Sequence, residues 1–162
     1  MFSTSISGDR DAIVSLSAIP ASVRQALLRR ATALAEQLRN HVVAQKLSGQ
    51  VLNVRSGALR ASIRSEVTQT DSGIAARVYS SGVPYAAIQE FGGQTPAHVI
   101  EAKKAMVLAF EVGGNAVFAR RVNHPGSKIP ERSFLRASLS EMGYEIAAGM
   151  KDAVLSGLRS AV

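Results

Sequence analysis

Few residues of this chain have the types and spacing that catalysis or metal binding requires. The chain contains three histidines and no cysteine. His41, His98 and His124 stand far apart in the sequence, and none belongs to a His-Glu-x-x-His or His-x-His metal motif. Without cysteine there is no Cys–His nucleophile, and no Gly-x-Ser-x-Gly elbow or P-loop spacing occurs. We therefore expect no catalytic residues, no cofactor and no metal ion.

Glu90 and Glu101 are carboxylates of the type that act as paired acid and base in hydrolases. Nothing in their positions links them, because Glu90 ends a short helical segment and Glu101 lies in a predicted strand. A structural role is the favoured interpretation for both. For Glu90 we expect a helix cap or an ion pair with a neighbouring arginine. A hydrolase acting through Glu90 or His124 is the least favoured alternative.

Glu90 belongs to a segment, residues 83–93, that we call the clip. Pro84 suits the first position of a helix because its missing N–H needs no partner there. One or two helical turns would place three apolar side chains on one face, and Gly92 and Gly93 would permit a left-handed exit. We expect that face to pack onto a sheet or a helix; its residues are Tyr85, Ile88 and Phe91.

One long amphipathic helix is predicted before the clip, over residues 20–47, and another after it, over 133–158. In both ranges apolar residues recur at intervals of three and four residues. The first stripe consists of Val23, Leu27, Ala31, Leu34, Leu38 and Val42. The second stripe consists of Leu135, Leu139, Met142, Ile146, Met150, Val154 and Leu158. Glycines disfavour a helix interior. A bend or a frayed end is therefore expected in the second helix, at Gly143, Gly149 and Gly157.

The remaining elements are short. Asp71-Ser72-Gly73 and Gly113-Gly114-Asn115 each favour a turn between two strands. The first hairpin joins residues 66–70 to 74–80, and the second joins 106–111 to 117–122. Two further strands are expected, over residues 2–7 and 97–102, and a helix capped by Asp9 is expected over 10–18. A short helix should begin at Ser56, with Leu59 and Ile63 on one face, and residues 123–130 should form a loop.

This order of elements predicts one α+β domain over residues 1–162. Its antiparallel sheet of about four to five strands would be packed by a long N-terminal helix and a C-terminal helix, with protruding loop or hairpin arms. The sequence contains no run of about 18 apolar residues, so no membrane span is predicted. The first residues do not show a basic segment followed by an apolar one, so no signal peptide is predicted. The absence of cysteine fits a reducing compartment.

Lysine and arginine outnumber aspartate and glutamate by 19 to 12, so the net charge is +7. Such a chain is either a basic domain with solvated charges or a partner of nucleic acid or of an acidic protein. Arg24, Arg29 and Arg30 on the first helix are expected to be solvated. Lys103-Lys104 and Arg120-Arg121 could line a basic rim near DNA. Aromatic residues are 5% of the chain, which argues against a single-strand binding surface.

Three segments together resemble a known family. Residues 55–63, Arg-Ser-Gly-Ala-Leu-Arg-Ala-Ser-Ile, resemble its T/S-G-x-L-x-x-S-I motif. Residues 84–92, Pro-Tyr-Ala-Ala-Ile-Gln-Glu-Phe-Gly, resemble its Y-A-x-x-x-E-F-G motif. His124-Pro125-Gly126 followed by residues 130–137 resembles its H-P-G … P-x-R-P-F-L-x-x-A motif, with Ser133 where the family often has proline. The family is that of the head–tail joining or tail-completion (neck, minor tail) proteins of long-tailed double-stranded DNA phages, the gene-product-ten-like family of lambdoid phages.

The resemblance implies a structural virion protein without catalysis. Such a protein would join the head to the tail as a ring, a hexamer or a similar multimer, between the neck connector and the tail tube or tail terminator. It would be made in the bacterial cytoplasm, reside at the head–tail junction or upper tail, lie close to packaged DNA, and contact no membrane. Its expected motif or interface residues are Arg55, Gly57, Leu59, Ile63, Tyr85, Glu90, Phe91, Gly92, Arg120, Arg121, His124, Pro125, Gly126, Arg132, Phe134 and Leu135.

Arg120 and Arg121 are expected to face an acidic neighbour or the DNA channel, and the segments 123–130 and 103–121 could act as arms toward a neighbouring subunit. Phe134 and Leu135 could equally begin a core helix. The alternative function is that of a basic DNA-binding accessory protein in phage morphogenesis.

Overall fold

The computed structural model describes residues 20–70, 73–103 and 106–160. The strand expected over residues 2–7 and the helix expected over 10–18 lie outside these residues. Within them the chain has the expected α+β composition, with a long helix at each end and antiparallel strands between.

Two long helices form the scaffold of the molecule. Helix α1 spans Ala21–His41 and is extended by a π-helical turn, Val42–Lys46, which confirms the predicted first helix. Helix α4 spans Leu135–Arg159, close to the predicted range, and packs against α1. The predicted stripe of α1 does face inward, since four of its six residues are buried and the other two half-buried; the buried ones are Val23, Ala31, Leu34 and Val42.

Two of the three glycines of α4, Gly149 and Gly157, lie against α1. A Cβ at Gly157 would collide with the backbone of Val23, and a Cβ at Gly149 would lie 2.6 Å from Nε of Arg30. The predicted fraying is wrong, because helix α4 continues past all three glycines to Arg159. Gly149 and Gly157 instead leave room for the neighbouring helix. Small buried residues replace part of the predicted stripe on this face, and they are Ser138, Gly149, Ala153 and Gly157.

The first predicted hairpin is confirmed. Strand β1, Ile63–Thr70, pairs antiparallel with β2, Gly73–Ser80, and both strands contact α1. The short helix α2, Ala58–Ala61, precedes it. Ile63 therefore begins a strand instead of continuing that helix, and the expected Leu59–Ile63 helical pair does not form.

The main core lies where the end of α1, the start of β1 and the start of α4 meet. Phe134 and Val42 are fully buried there, and Ile63 is nearly so. The same apolar cluster is completed by Leu47, Leu52 and Ala86, the last from helix α3, Ala86–Phe91. The core thus joins the N-terminal helix, the clip and the C-terminal helix.

After α3 the described residues between 93 and 129 form three successive two-stranded antiparallel ribbons, which we together call the β-arm. Its base pairs Gly93–Gln94 (β3) with Lys128–Ile129 (β8). Its middle pairs His98–Glu101 (β4) with Arg121–His124 (β7) in the same register. Its tip pairs Leu108–Val112 (β5) with Asn115–Ala119 (β6) around a Gly113–Gly114 turn.

The β-arm changes two expectations. Residues 123–130 are not a free loop, because they supply the return strands of the arm. The described strands also form four separate two-stranded ribbons instead of one sheet of about four to five strands. The pairing register changes between the middle and the tip of the arm, because Glu101 pairs with Arg121 whereas Leu108 pairs with Ala119. Next to this change, Ala102 N–H donates to Arg120 O at 3.2 Å.

Candidate functional site

Glu90 fixes the clip to the start of α4. Its carboxylate accepts hydrogen bonds from the backbone N–H groups of Phe134 at 2.7 Å, Leu135 at 2.9 Å and Arg136 at 3.0 Å. It also accepts one from Ser133 Oγ at 2.8 Å and one from Arg136 Nε at 3.1 Å. Glu90 is only 3% exposed, so these donors replace water.

This arrangement confirms the expected cap and the expected ion pair. The first N–H groups of a helix have no partner within the helix, and its N-terminus favours a negative charge. Burial by itself would raise the pKa of Glu90, but the N–H groups of Leu135, Arg136 and Phe134 and the Ser133 hydroxyl outweigh burial and hold that pKa below its ordinary value. Glu90 is therefore a charged structural group.

The exposed face of the clip is not the one predicted. Tyr85 and Phe91 are 44% and 43% exposed, while Ala86 and Glu90 are buried. Ile88, the third residue of the predicted face, is half-buried. Ala86 and Glu90 lie four residues apart on the buried face, where the donors at the start of α4 hold Glu90. The guanidinium of Arg136 covers one face of the Phe91 ring at 4.5 Å from its centroid.

Gly92 and Gln89 complete the contact between the clip and the start of α4, which we call the Glu90 junction. Gly92 adopts φ 69°, as predicted for the exit, and a Cβ there would lie 2.8 Å from the backbone nitrogen of Glu131. Arg132 N–H donates to Gln89 O at 2.9 Å. The clip and residues 129–132 therefore touch through their backbones, a contact that only glycine permits at position 92.

Residues from all three motif segments meet in a cavity of about 480 Å³, which we call the arginine groove. The first segment supplies Arg55, Gly57 and Leu59, the clip supplies Tyr85, and the segment before α4 supplies Arg132. Its complete lining is Leu47, Leu52, Asn53, Val54, Arg55, Ser56, Gly57, Ala58, Leu59, Arg60, Tyr85, Gln89 and Arg132.

Gly57 and Ser56 shape the rim of the groove. Gly57 takes φ 74° and occupies the position before α2, where Ser56 was expected. The Ser56 hydroxyl still serves this turn, because it accepts from Ala58 N–H at 3.3 Å.

The His124-Pro125-Gly126 motif lies at the base of the β-arm instead of in the groove. His124 stacks on His98, its register partner, with ring centroids 5.0 Å apart, and its Nδ1 accepts from Gly126 N–H at 3.0 Å. Gly126 has φ 93°, and a Cβ there would collide with Thr95 O. The motif thus holds a turn whose backbone lies against Thr95, in the connection between β3 and β4.

The outer β-arm exposes both charge and apolar surface. Arg120 and Arg121 are exposed, as expected. Glu101 stands opposite Arg121 in the ribbon, so it is not part of an acid–base pair with buried Glu90. Large apolar side chains of the arm are 36% to 84% exposed; they are Val99, Ile100, Met106, Val107, Phe110, Val112 and Phe118.

Arg136 is the principal site residue that sequence reasoning missed. It contacts the Glu90 carboxylate, the Glu90 carbonyl, Glu131 and the Phe91 ring. It occupies a variable position of the motif it belongs to, and no periodicity distinguishes it from the other exposed arginines. Phe134 and Leu135, by contrast, take the core alternative: Phe134 is fully buried and Leu135 packs against the same cluster.

The sequence matches no protein-family model and no curated protein, and the fold matches no solved structure. In the part of the chain that the structure describes, no helix has the length and apolarity needed to cross a bilayer. Over the same residues, no three His, Asp or Glu side chains are grouped to hold a metal ion.

Proposed function

We propose that this protein is a structural component of the head–tail junction of a long-tailed phage, where it assembles with copies of itself into a ring. The observation that carries this proposal is the β-arm, a succession of two-stranded ribbons whose large apolar side chains are exposed. The ordered motif set at residues 55–63, 84–92 and 124–137 supports the phage assignment.

The exposure of the arm favours a partner. An isolated two-stranded ribbon is at best marginally stable in water, and contiguous exposed apolar surface marks an interaction site. Phe118 is 66% exposed and Met106 is 84% exposed, at and near the tip. Burial against a neighbouring subunit would remove this surface from water and order the arm.

In the proposed assembly the arm contacts the next copy of the chain around a ring. Repetition of one such head-to-tail contact closes a ring when the rotation between copies closes. The neighbouring neck connector and the tail tube or terminator would bind above and below. Arg120 and Arg121 would face an acidic neighbour or the packaged DNA.

Electron microscopy tests the location. Particles from an induced lysate are labelled with an antibody to this protein. We expect the label at the head–tail junction or upper tail. Particles that carry no label would contradict the proposal and favour the accessory DNA-binding function.

Charge reversal tests the role of the arm. The double variant Arg120→Glu plus Arg121→Glu is expected to abolish assembly while the monomer stays folded by circular dichroism. The matched control reverses two exposed charges on the long helices, Arg29→Glu plus Lys151→Glu, and should assemble normally. Normal assembly of the arm variant would rule out the proposed contact.

The alternative, a DNA-binding accessory protein, is favoured by the net charge of +7. It requires tight binding to free duplex DNA, with an affinity that falls steeply as salt rises. A titration at two or more salt concentrations distinguishes it from a ring component that meets DNA only inside the particle.

A further inference from the structure

We propose that the arginine groove is a docking site for a partner-protein segment in which acidic residues alternate with apolar ones. This inference goes beyond the ring contact of the β-arm, because the groove lies on the body of the molecule and is built from other residues. It rests on the positive charge of the groove wall, the apolar side chains of its floor and the volume of the cavity.

The charge of the groove is positive and uncompensated. Arg55, Arg60 and Arg132 are exposed on its wall, and none of them forms a side-chain ion pair with another described residue. The lining contains no aspartate or glutamate. A ligand that carries carboxylates would therefore meet three guanidiniums, each able to donate paired hydrogen bonds.

The neighbouring acids are already engaged elsewhere. Glu90 is buried against the start of α4, and Glu131 binds Arg136 Nη2 at 2.8 Å. Arg136 also donates to the Glu90 carboxylate and carbonyl. The junction thus keeps both nearby carboxylates on Arg136 and leaves Arg132 available to a ligand.

The floor of the groove is apolar. Leu47 and Leu52 are buried at 3% and 8% exposure, and Leu59 is half-buried beside them. Tyr85 contributes a ring that is 44% exposed, and Val54 is 49% exposed. An apolar side chain of the ligand would cover these groups, which a purely ionic ligand would leave in water.

The shape and chemistry favour a peptide over nucleic acid. A cavity of about 480 Å³ holds a few side chains, within the range of small-ligand pockets, whereas a duplex would bridge its rim without reaching the leucines. Single-stranded nucleic acid binds through stacked aromatic side chains, and Tyr85 is the single aromatic residue of the lining. Mixed acidic and apolar side chains match both the wall and the floor.

The test uses the full-length protein and a pooled panel of fluorescein-labelled heptapeptides that combine Asp or Glu with Leu or Phe. We expect members of the panel to bind, with amide shifts in NMR spectra at Leu59, Tyr85 and Gln89. Versions with lysine in place of the acids, or with glycine in place of the apolar residues, should bind at least about tenfold more weakly.

The variant Arg55→Gln plus Arg132→Gln should weaken the best peptide about tenfold or more, while circular dichroism stays unchanged. The matched control, Arg29→Gln plus Arg159→Gln, removes the same charge from exposed positions outside the groove and should bind normally. A panel without binders, shifts confined to other surfaces, or equal loss in both variants would overturn the proposal. So would a labelled duplex of about 20 base pairs that competes for the same residues and binds more tightly.

Discussion

The Glu90 junction and the β-arm differ in which atoms they bury and which they leave exposed to water. At the junction, a carboxylate that is 3% exposed receives donors from Ser133, the first N–H groups of α4 and Arg136. On the arm, Phe118 and Met106 are 66% and 84% exposed. The junction buries polar atoms and satisfies them within the chain, whereas the arm leaves apolar atoms in water.

The difference shows which parts of the molecule are complete. A buried carboxylate with all its donors is stable without a partner, and it holds the clip, α4 and the core in one arrangement. A ribbon with exposed apolar side chains gains stability only when something covers it. Substitutions at the junction should therefore affect folding, and substitutions on the arm should affect association.

The largest expected effect is that of Glu90→Ala. It leaves the N–H groups of Phe134, Leu135 and Arg136 without their acceptor in a buried site, so we expect a loss of about 3 kcal/mol in the free energy of unfolding. Urea denaturation measures it. The control Glu131→Ala removes an exposed carboxylate from Arg136 and should cost about 0.5 kcal/mol or less.

Acid titration of the same site shows whether the charge matters. Because the pKa of Glu90 is lower in the folded protein, its contribution is fully present above the unfolded-state pKa and is lost as pH falls through the folded-state pKa. The stability advantage of wild type over Glu90→Gln should therefore shrink as pH falls below about 4.3. An advantage independent of pH would mean that shape alone holds the junction.

Smaller effects on the free energy of unfolding are expected at two glycines of α4, one packed against α1 and one surrounded by open space. Gly157→Ala places a methyl group against the backbone of Val23, so we expect a net loss of about 1–2 kcal/mol despite the higher helix propensity of alanine. Gly143→Ala has open space around it and should stabilise by about 0.5–1 kcal/mol. Thermal unfolding of both variants measures the difference.

Equal stabilisation by the two alanines would contradict the close approach of α1 and α4 at Gly157. It would mean instead that all the glycines of α4 act through helix propensity, which is how the sequence alone presents them.

Periodicity predicted the long helices well because each buries one face against a large neighbour. The stripe of α1 was correct, while the face of α4 was shifted toward Ser138 and Gly149. Hydrophobic spacing identifies large side chains, but helices that touch closely use small ones at the contact. A buried glycine and an interior helix-breaking glycine look the same in a sequence.

The candidate site was predictable in part. The sequence predicts a cap by Glu90 but not the exposure of Tyr85 and Phe91, because Ala86 and the buried Glu90 set the inward face of this short helix. Arg136 could not be recognised, since its contacts with Glu90 and Phe91 join it to the clip, which is distant in the chain.

The sequence predicts the hairpin at the tip of the arm and a strand over residues 97–102, but it predicts a loop over 123–130 where the return strands lie. Pairing between distant segments depends on a register that local patterns do not encode.

The smallest effect on folding is expected for Phe118→Ser on the arm. The side chain is 66% exposed, so its loss should change the free energy of unfolding of the monomer by about 0.5 kcal/mol or less. Self-association, measured by sedimentation, should fall clearly because an aromatic group at an interface centre often dominates binding. The control Tyr144→Ser, 89% exposed on α4, should leave both quantities unchanged. If Phe118→Ser destabilises the monomer as much as a junction variant does, the arm belongs to the folded body and not to a contact between subunits.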